Sequence, residues 1–420
     1  MANAQNDSMR LITLAQGLLN LNTLGIAWVQ LLVPLANFFS IVLVARILDT
    51  HSTNIFMLLY VTAWFAAGFS DFGLRNTVYI ESSKKSHDAL LDYIGSIYSL
   101  RIVMGFSVVV CFTMYCYVVT RQPLLMCVMF GFISGNMYSA DPGVQILRGR
   151  LLAKYEIVYS TIEKGGLVAI LITMKFFHLS GLLWVVMAFL FVSIVRLVLV
   201  YVTIRDRIGR FKLSLVRRSS LKILKINLHV GMILLLFILL RKFPVIFSPY
   251  LGLNEDIAVV AIILQVLQSA EFFPAVIAFA VIPSMFHGNS ANWGRAENSR
   301  NILLMNVLGG IVATAFLSIF SRPILSLFGP EYARGVPLLL ASSFVLPFMF
   351  VNQTIRHLAI AHNYVIVLLF CVLIGCLIEI GILIVVVDYF GFHGAIFGFA
   401  IAECILFALL IIVFYHRLMR

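Results

Sequence analysis

The chain has 420 residues, of which 62% are hydrophobic and only 11% carry a charge, and its mean hydropathy is +1.03. A composition this apolar lies far outside that of soluble globular proteins and excludes a water-soluble domain. The formal net charge of +12 would suit either a nucleic-acid partner or a membrane surface, so the positions of the basic residues have to decide between them.

Apolar runs recur along the whole sequence, and each is long enough to cross a bilayer, which takes roughly 20 apolar residues in a helix. We therefore expect an all-α, polytopic membrane protein with about 12 transmembrane helices. The start of the chain carries one basic residue, Arg10, and no small-residue cleavage site, so the first span is expected to be retained. In chain order, the predicted spans are 23–45, 55–74, 93–119, 123–147, 158–177, 182–204, 226–248, 256–282, 301–321, 336–355, 364–387 and 394–415.

Basic residues are distributed unequally between the two sets of loops. About 20 of the 30 Lys and Arg fall in the two tails and in the loops that follow even-numbered spans, whereas about four fall in the loops that follow odd-numbered spans. Positive charge in short loops marks the cytoplasmic side of a membrane. Both termini are therefore predicted to be cytoplasmic, and because this bias accounts for the net charge, no nucleic-acid partner is expected.

Cysteine and histidine positions indicate neither a disulfide framework nor a metal site. All six cysteines fall inside predicted spans without a Cys-x-x-Cys motif, and the nine histidines show no His-Glu-x-x-His spacing. A Gly-Lys dipeptide is also absent, so the chain has no Walker A loop for ATP hydrolysis. We expect no cofactor and no metal, and a transporter in place of an enzyme.

The longest predicted cytoplasmic loop lies at the middle of the chain and separates six spans from six. Short strings recur at equivalent hairpins of the two halves, such as Pro123-Leu-Leu and Pro337-Leu-Leu at the start of spans 4 and 10. This repetition predicts an N-terminal lobe, 1–204, a basic cytoplasmic linker, 205–225, and a C-terminal lobe, 226–420. Six spans in each lobe give both lobes the same orientation, so we expect a pseudo-two-fold axis along the membrane normal and a substrate path between the lobes.

Four motifs resemble those of polysaccharide-export flippases and occur in the same order along the chain. The motifs are Val44-Ala-Arg-Ile-Leu48, Asp71-Phe-Gly-Leu74, Leu327-Phe-Gly-Pro-Glu-Tyr-Ala333 and Tyr389-Phe-Gly-Phe-His-Gly-Ala395. The resemblance covers nearly the whole chain and implies an O-antigen type flippase of the multidrug and oligosaccharidyl-lipid exporter superfamily. Many relatives carry Asp followed by a basic residue in the seventh span, where this chain has Arg241-Lys242. The role of that acid therefore does not carry over.

The resemblance also implies a substrate and a setting. Such proteins move an undecaprenyl-pyrophosphate-linked glycan from the cytoplasmic to the periplasmic leaflet of the bacterial inner membrane by alternating access. Membrane lipids are the expected partners besides the substrate, and other polysaccharide assembly proteins are a further candidate.

Ionisable side chains inside the predicted spans are the strongest site signal of the residues themselves, because each is costly in the bilayer and tends to mark a cavity. Arg241 and Lys242 are favoured, since no acid lies within two helical turns of them in sequence and Pro244 permits a bend. The alternative is structural pairing with buried acids, for which Asp141, Glu163, Glu271, Glu379 and Glu403 are available. The proposed phosphate-binding cations are Arg101, Lys164, Arg196, Arg241 and Lys242.

Polar residues in spans 1 and 8, most of them uncharged, are candidates for binding sugar hydroxyls. Gln268 and Glu271 lie three residues apart on one helical stripe of span 8, and Gln30 and Asn37 lie in span 1. Hydrogen bonding between helices is the alternative role for these amides. Glu271 and Asp141, as acids inside spans, are the candidates for ion coupling.

Two other function classes remain as alternatives to the flippase. A membrane glycosyl enzyme would hold its site in a long outer loop or an acidic pair, and this sequence has neither a long outer loop nor an Asp-x-Asp motif. An ion-coupled multidrug antiporter of the same superfamily is the closer alternative. Such a carrier selects cations and should be lined by acids, whereas this chain places several basic groups in its spans.

Overall fold

Helices make up almost all of the computed structural model, which describes residues 21–150, 152, 154–213, 218–274, 295–361 and 364–418. No β-strand occurs among these residues. The first half contains α1 (Leu21–Ile47), α2 (Thr50–Asp71), α3 (Leu74–Lys84), α4 (His87–Thr120), α5 (Leu124–Asn136), α6 (Asp141–Gly149), α7 (Lys154–Phe176) and α8 (Leu182–Arg207).

The second half repeats this pattern of long apolar helices and tight connections. It contains α9 (Arg218–Ile246), α10 (Ile257–Ser269), α11 (Arg295–Phe328), α12 (Val336–Ser343), α13 (Leu346–Ala361) and α14 (Val365–Leu418). Two short 3₁₀ turns, Ser248–Leu251 and Pro330–Gly335, lead into α10 and α12. Helix α14 is two helices joined at Gly391, whose φ of 57° interrupts the helical backbone.

The predicted all-α, polytopic fold is confirmed. In the described part of the chain, eight helices are long and apolar enough to cross a membrane, and α12 with α13 makes a ninth span bent by 58°. Because α14 contains two helices, it accounts for predicted spans 11 and 12. The described parts of α1 and of α5 with α6 correspond to spans 1 and 4, which gives about twelve in total.

Several element boundaries differ from the predicted ones. Helix α8 continues to Arg207 and α9 begins at Arg218, so much of the predicted linker 205–225 is helical. Predicted span 4 is broken between α5 and α6, and the end of predicted span 8 lies outside the described residues. Arg356, which the sequence places in a cytoplasmic loop, lies within α13. The boundaries of the two lobes stay a prediction.

Equivalent helices of the two halves make equivalent contacts. Helix α1 packs along α7 in the first half, and α9 packs along α14 in the second. Likewise, α4 packs along α5, and α11 along α13. This repetition is what the predicted duplication would produce.

The two halves meet closely where α2 and α9 cross. A Cβ atom on Gly231 of α9 would lie 2.7 Å from the carbonyl oxygen of Phe72, which is closer than real Cβ contacts. Phe72 and Gly73 both have positive φ, at 41° and 76°, and end α2 before α3 begins. The glycines at 73 and 231 therefore let the backbones of the two halves touch.

The two ends of the helical bundle can be named by their residues. The Arg46 end is where α1 and α11 end and α2 and α10 begin, and the Arg205 end is the opposite one. At the Arg46 end, the Asp49 carboxylate caps α2 by accepting a 2.6 Å hydrogen bond from the backbone N–H of Ser52. This bond lowers the pKa of Asp49.

Candidate functional site

An alternating row of basic and acidic side chains crosses the first half. Arg101 of α4 is buried and donates to the Asp71 carboxylate at 2.7 Å and to the Ser70 hydroxyl at 3.3 Å. The other oxygen of Asp71 accepts from Nε of Arg75 at 3.2 Å, and Arg75 reaches Asp141 at 3.3 Å. Arg101 is thus neutralised by Asp71. The sequence marks Asp71 only as the first residue of a family motif and does not indicate that it pairs with a cation.

The row continues from Asp141 to α7 and α8. Arg196 donates to Asp141 at 2.7 Å, and its Nε lies 3.2 Å from a Glu163 carboxylate oxygen. Glu163 also lies 3.1 Å from the ammonium group of Lys164. Four cations and three acids alternate along this row, so one positive charge is in excess among its members. Asp141, a predicted ion-coupling residue, therefore lies between two arginines.

The second cluster joins α9 and α10 in the second half. Arg241 forms an ion pair with Glu271, and its Nε lies 3.7 Å from a carboxylate oxygen of Glu403. Lys242 has a different partner, because its ammonium group donates to the side-chain oxygen of Gln268 at 2.5 Å. The amide nitrogen of Gln268 in turn donates to the Arg241 carbonyl at 3.0 Å. The structure thus brings together Arg241, Lys242, Gln268 and Glu271, which the sequence singles out separately.

Two further acids from α14 lie behind this cluster. Glu403 is fully buried and accepts a 2.7 Å hydrogen bond from the Asn352 side chain of α13. Glu379 is also fully buried, and neither of its carboxylate oxygens has a hydrogen-bond partner among the described residues. Glu379 is therefore an intramembrane acid for which this part of the chain supplies no cation.

Arg356 of α13 belongs to this cluster, although sequence reasoning missed it. Its guanidinium stacks 4.8 Å above the ring of Phe237 and lies 3.4 Å from the ring nitrogen of His357. Phe237 lies four residues before Arg241 in α9, so Arg356 packs against the helix that carries the cluster. Arg356 lies near the end of an apolar run, and hydropathy alone places such a residue in a loop.

Arg75 was missed for the same reason. Its side chain is 36% exposed, while its guanidinium stacks 4.8 Å above the Tyr138 ring and bridges Asp71 and Asp141. The sequence counts Arg75 among the loop cations after span 2. Its position directly after the Asp71-Phe-Gly-Leu74 motif, four residues from the Asp71 carboxylate, is the available signal.

Of the two polar residues predicted in span 1, only Asn37 has a described side chain, and it is not joined to either cluster. Asn37 of α1 is half-buried and makes no hydrogen bond within the described part of the chain. The side chain of Gln30 lies outside the described residues. Within the described ranges, no group of three His, Cys, Asp or Glu residues could hold a metal ion.

Comparison with known proteins indicates the fold. No protein-family model and no curated protein sequence matches the chain. Among solved structures, an inward-facing multidrug resistance MATE transporter of the MOP superfamily matches with a TM-score of 0.71 at 14% identity, covering 93% of this chain and 98% of that one. The chain shares the fold of this transporter.

Other members of this fold match over similar lengths. The lipid II flippase MurJ, in an inward closed conformation, gives a TM-score of 0.69 at 14% identity over 94% of this chain and 87% of that one. A eukaryotic MATE transporter gives 0.66 at 13% identity over 94% of this chain and 95% of that one. At such low identity these matches establish the shared fold and not the substrate.

Proposed function

We propose that this protein is a flippase that carries an undecaprenyl-pyrophosphate-linked oligosaccharide from the cytoplasmic to the periplasmic leaflet of the bacterial inner membrane. Four motifs similar to those of polysaccharide-export flippases support the proposal, as does the MOP fold, which includes a lipid flippase among its members. Alternating access of two six-helix lobes would move the pyrophosphate and glycan through the interior, while the prenyl chain stays in lipid.

The observation that carries the proposal is the unequal burial of cations and acids. Of the seven cations in the two clusters only Arg101 is buried, whereas of the six acids only Glu271 is partly accessible and the other five are buried. An interior path would therefore meet guanidinium and ammonium groups before it meets carboxylates. A pyrophosphate needs several such donors where water is scarce, so this arrangement favours an anionic substrate.

Within the second cluster, the pairing of the side chains assigns different roles to adjacent cations. Arg241 is held by Glu271 and Glu403, so binding a phosphate would require it to leave two acids. Lys242 has a neutral amide partner, and Arg356 has an aromatic ring and an imidazole. We therefore propose Lys242 and Arg356 as phosphate contacts and Arg241 as a residue that positions them. This assignment replaces the sequence-based preference for Arg241.

Lys164 and Arg196 are proposed as the corresponding phosphate-binding cations of the first half. Both are partly accessible, and they share the acids Glu163 and Asp141. Arg101 is fully buried beside Asp71, so we propose a positioning role for it. Asn37 and Gln268 remain the proposed sugar contacts, with Gln268 also orienting Lys242.

If transport is ion-coupled, we propose that one acid of each half carries the ion. Glu271 and Asp141, the acids selected from the sequence, are each occupied by arginines. Protonation of either would release an arginine for the substrate, which would link proton binding to phosphate binding.

A multidrug antiporter is the second candidate, because MATE transporters match this fold closely. The two candidates predict opposite ligands, since a carrier of organic cations needs exposed acids. Binding of a fluorescent organic cation, compared with binding of a polyprenyl pyrophosphate, would therefore separate them.

Deletion of the gene in its host tests the proposed function. The flippase predicts that lipid-linked repeat units accumulate and that surface polysaccharide disappears. Complementation should succeed with Lys175→Ala, which changes an exposed lysine near the end of α7, and should fail with the double variant Lys242→Ala/Arg356→Ala. Normal surface polysaccharide in the deletion strain would contradict the proposed function.

A further inference from the structure

At the Arg46 end, a side chain of the first half caps a helix of the second half. Helix α10 begins after Asp256, but the Asp256 side chain makes no capping hydrogen bond and pairs instead with Arg334 at 2.8 Å. The side-chain oxygen of Asn54 accepts from the backbone N–H of Ala258 at 2.8 Å, and its amide donates to the Glu255 carbonyl at 3.2 Å. Asn54 of α2 thus supplies the cap that α10 lacks.

A second cap crosses between the same two halves. Arg46, near the end of α1, donates from Nε to the carbonyl of Leu327 at 2.8 Å and from its terminal nitrogen to the carbonyl of Ser326 at 2.6 Å. These are among the last carbonyls of α11, which ends at Phe328 and leaves them without helical partners. A guanidinium is favoured there, because the end of a helix carries partial negative charge.

Aromatic packing completes this connection. The Phe38 ring of α1 meets the Phe328 ring edge-on at 5.4 Å between centroids. Both capping residues therefore belong to the first half, and both capped helices belong to the second. Separation of the halves at this end would remove both caps together.

We propose that Arg46 and Asn54 form a gate that holds the Arg46 end closed and releases when the path opens there. The proposal rests on the alternating access of the proposed function. The capped groups are backbone amides and carbonyls at helix ends, next to the exposed residues Arg46 and Glu255. Water can replace these bonds as the halves part, so the gate is reversible.

Distances between spin labels test the gate without any substrate. Labels at His51→Cys and Glu331→Cys occupy exposed positions on opposite sides of the proposed gate, in protein whose six native cysteines are replaced. Loss of one cap should raise the ratio of open to closed populations about five-fold, which corresponds to the usual cost of a missing cap. We expect this increase in Arg46→Ala and in Asn54→Ala, measured in lipid nanodiscs.

The matched control for Arg46 is Arg322→Ala, because Arg322 is exposed on α11 and makes no interaction within the described part of the chain. This control should leave the parent distance distribution unchanged. Unchanged distributions in both Arg46→Ala and Asn54→Ala would overturn the gate, as would an equal change in Arg322→Ala. These outcomes do not depend on the substrate, so the gate can fail while the flippase stands.

Cross-linking provides a second test. A disulfide between Asn54→Cys and Ala258→Cys should stop movement of the lipid-linked glycan in vesicles, and a reductant should restore it. The control, Ala258→Cys alone under the same oxidising conditions, should leave transport intact. Transport at the parent rate by fully cross-linked Asn54/Ala258 protein would overturn the gate. A parent that moves no glycan would count against the proposed function alone.

Discussion

Two glutamates of the second cluster differ in whether a cation lies beside them, and this difference predicts opposite effects of one substitution. Glu271 pairs with Arg241, so Glu271→Gln leaves a charge inside the membrane short of its partner. Loss of one member of a buried ion pair costs about 3 kcal/mol or more. Glu379 has no hydrogen-bonded partner in the described ranges, and Glu379→Gln keeps its size while replacing a carboxyl that no cation neutralises.

We therefore expect Glu271→Gln to lower the unfolding temperature in detergent by several degrees and Glu379→Gln to leave it near the parent value or above it. Thermal unfolding of the two purified variants, side by side, is the measurement. Equal losses in both variants would mean that the Arg241–Glu271 pair contributes no more to stability than the isolated carboxyl.

The adjacent cations Arg241 and Lys242 should separate stability from substrate binding. Lys242→Ala should reach the membrane at normal levels and bind a polyprenyl pyrophosphate at least ten-fold more weakly, whereas Arg241→Ala should lose abundance because Glu271 and Glu403 remain unpaired. Lys242→Arg restores the charge and should recover most of the binding. The measurements are immunoblots of membranes and binding of a fluorescent polyprenyl pyrophosphate, and normal binding by Lys242→Ala would remove it as a phosphate contact.

Sequence could locate the ionisable groups but could not pair them. Arg241 and Glu271 are each visible as a charge in an apolar run, and they are separated by 30 residues. Their contact depends on how α9 packs beside α10, which hydropathy does not describe. The sequence assigns Arg356 and Arg75 to loops because they lie near the ends of apolar runs. A charge at such a position is as typical of a loop as of a residue that lines a cavity.

At the scale of helices, the crossing of α2 and α9 predicts which glycine is needed. A side chain at Gly231 would collide with the Phe72 carbonyl oxygen, whereas a Cβ on Gly381 of α14 would meet nothing within 4 Å in the described residues. Gly231→Val should therefore destabilise the protein by about 1–3 kcal/mol, as overpacking does, while Gly381→Val should change the unfolding temperature little. A Gly231→Val variant as stable as Gly381→Val would show that α2 and α9 do not cross this closely.

Hydropathy predicts the number of helices well and their interruptions poorly. Twelve apolar runs are visible because burial in lipid requires them. The break between α5 and α6 and the 58° bend between α12 and α13 leave those runs continuous, because the intervening residues are themselves apolar or small. Gly391, which interrupts α14, lies within the Tyr389–Ala395 motif, just before predicted span 12.

At the scale of the whole molecule, the orientation in the membrane can be tested with exposed positions. Cysteines introduced at His51, Asn254 and Glu331 lie in exposed positions at the Arg46 end and should react with an impermeant thiol reagent added to cells with a permeabilised outer membrane. Cysteines at Arg207 and Lys222, exposed near the opposite end, should react only after the inner membrane is opened. The reverse labelling pattern would place the termini outside the cytoplasm.

Movement of a lipid-linked glycan by the purified protein is the most direct test of the central claim. The protein would be reconstituted in vesicles that contain a fluorescent undecaprenyl-pyrophosphate-linked oligosaccharide, and an added glycosidase would measure how much glycan reaches the outer face. We expect the parent to bring nearly all of the glycan within reach of the enzyme, and Lys242→Ala/Arg356→Ala to leave about half protected, as vesicles without protein do. If vesicles with the parent protect as much glycan as empty vesicles do and also take up an organic cation, the flippase is contradicted and the multidrug antiporter is favoured.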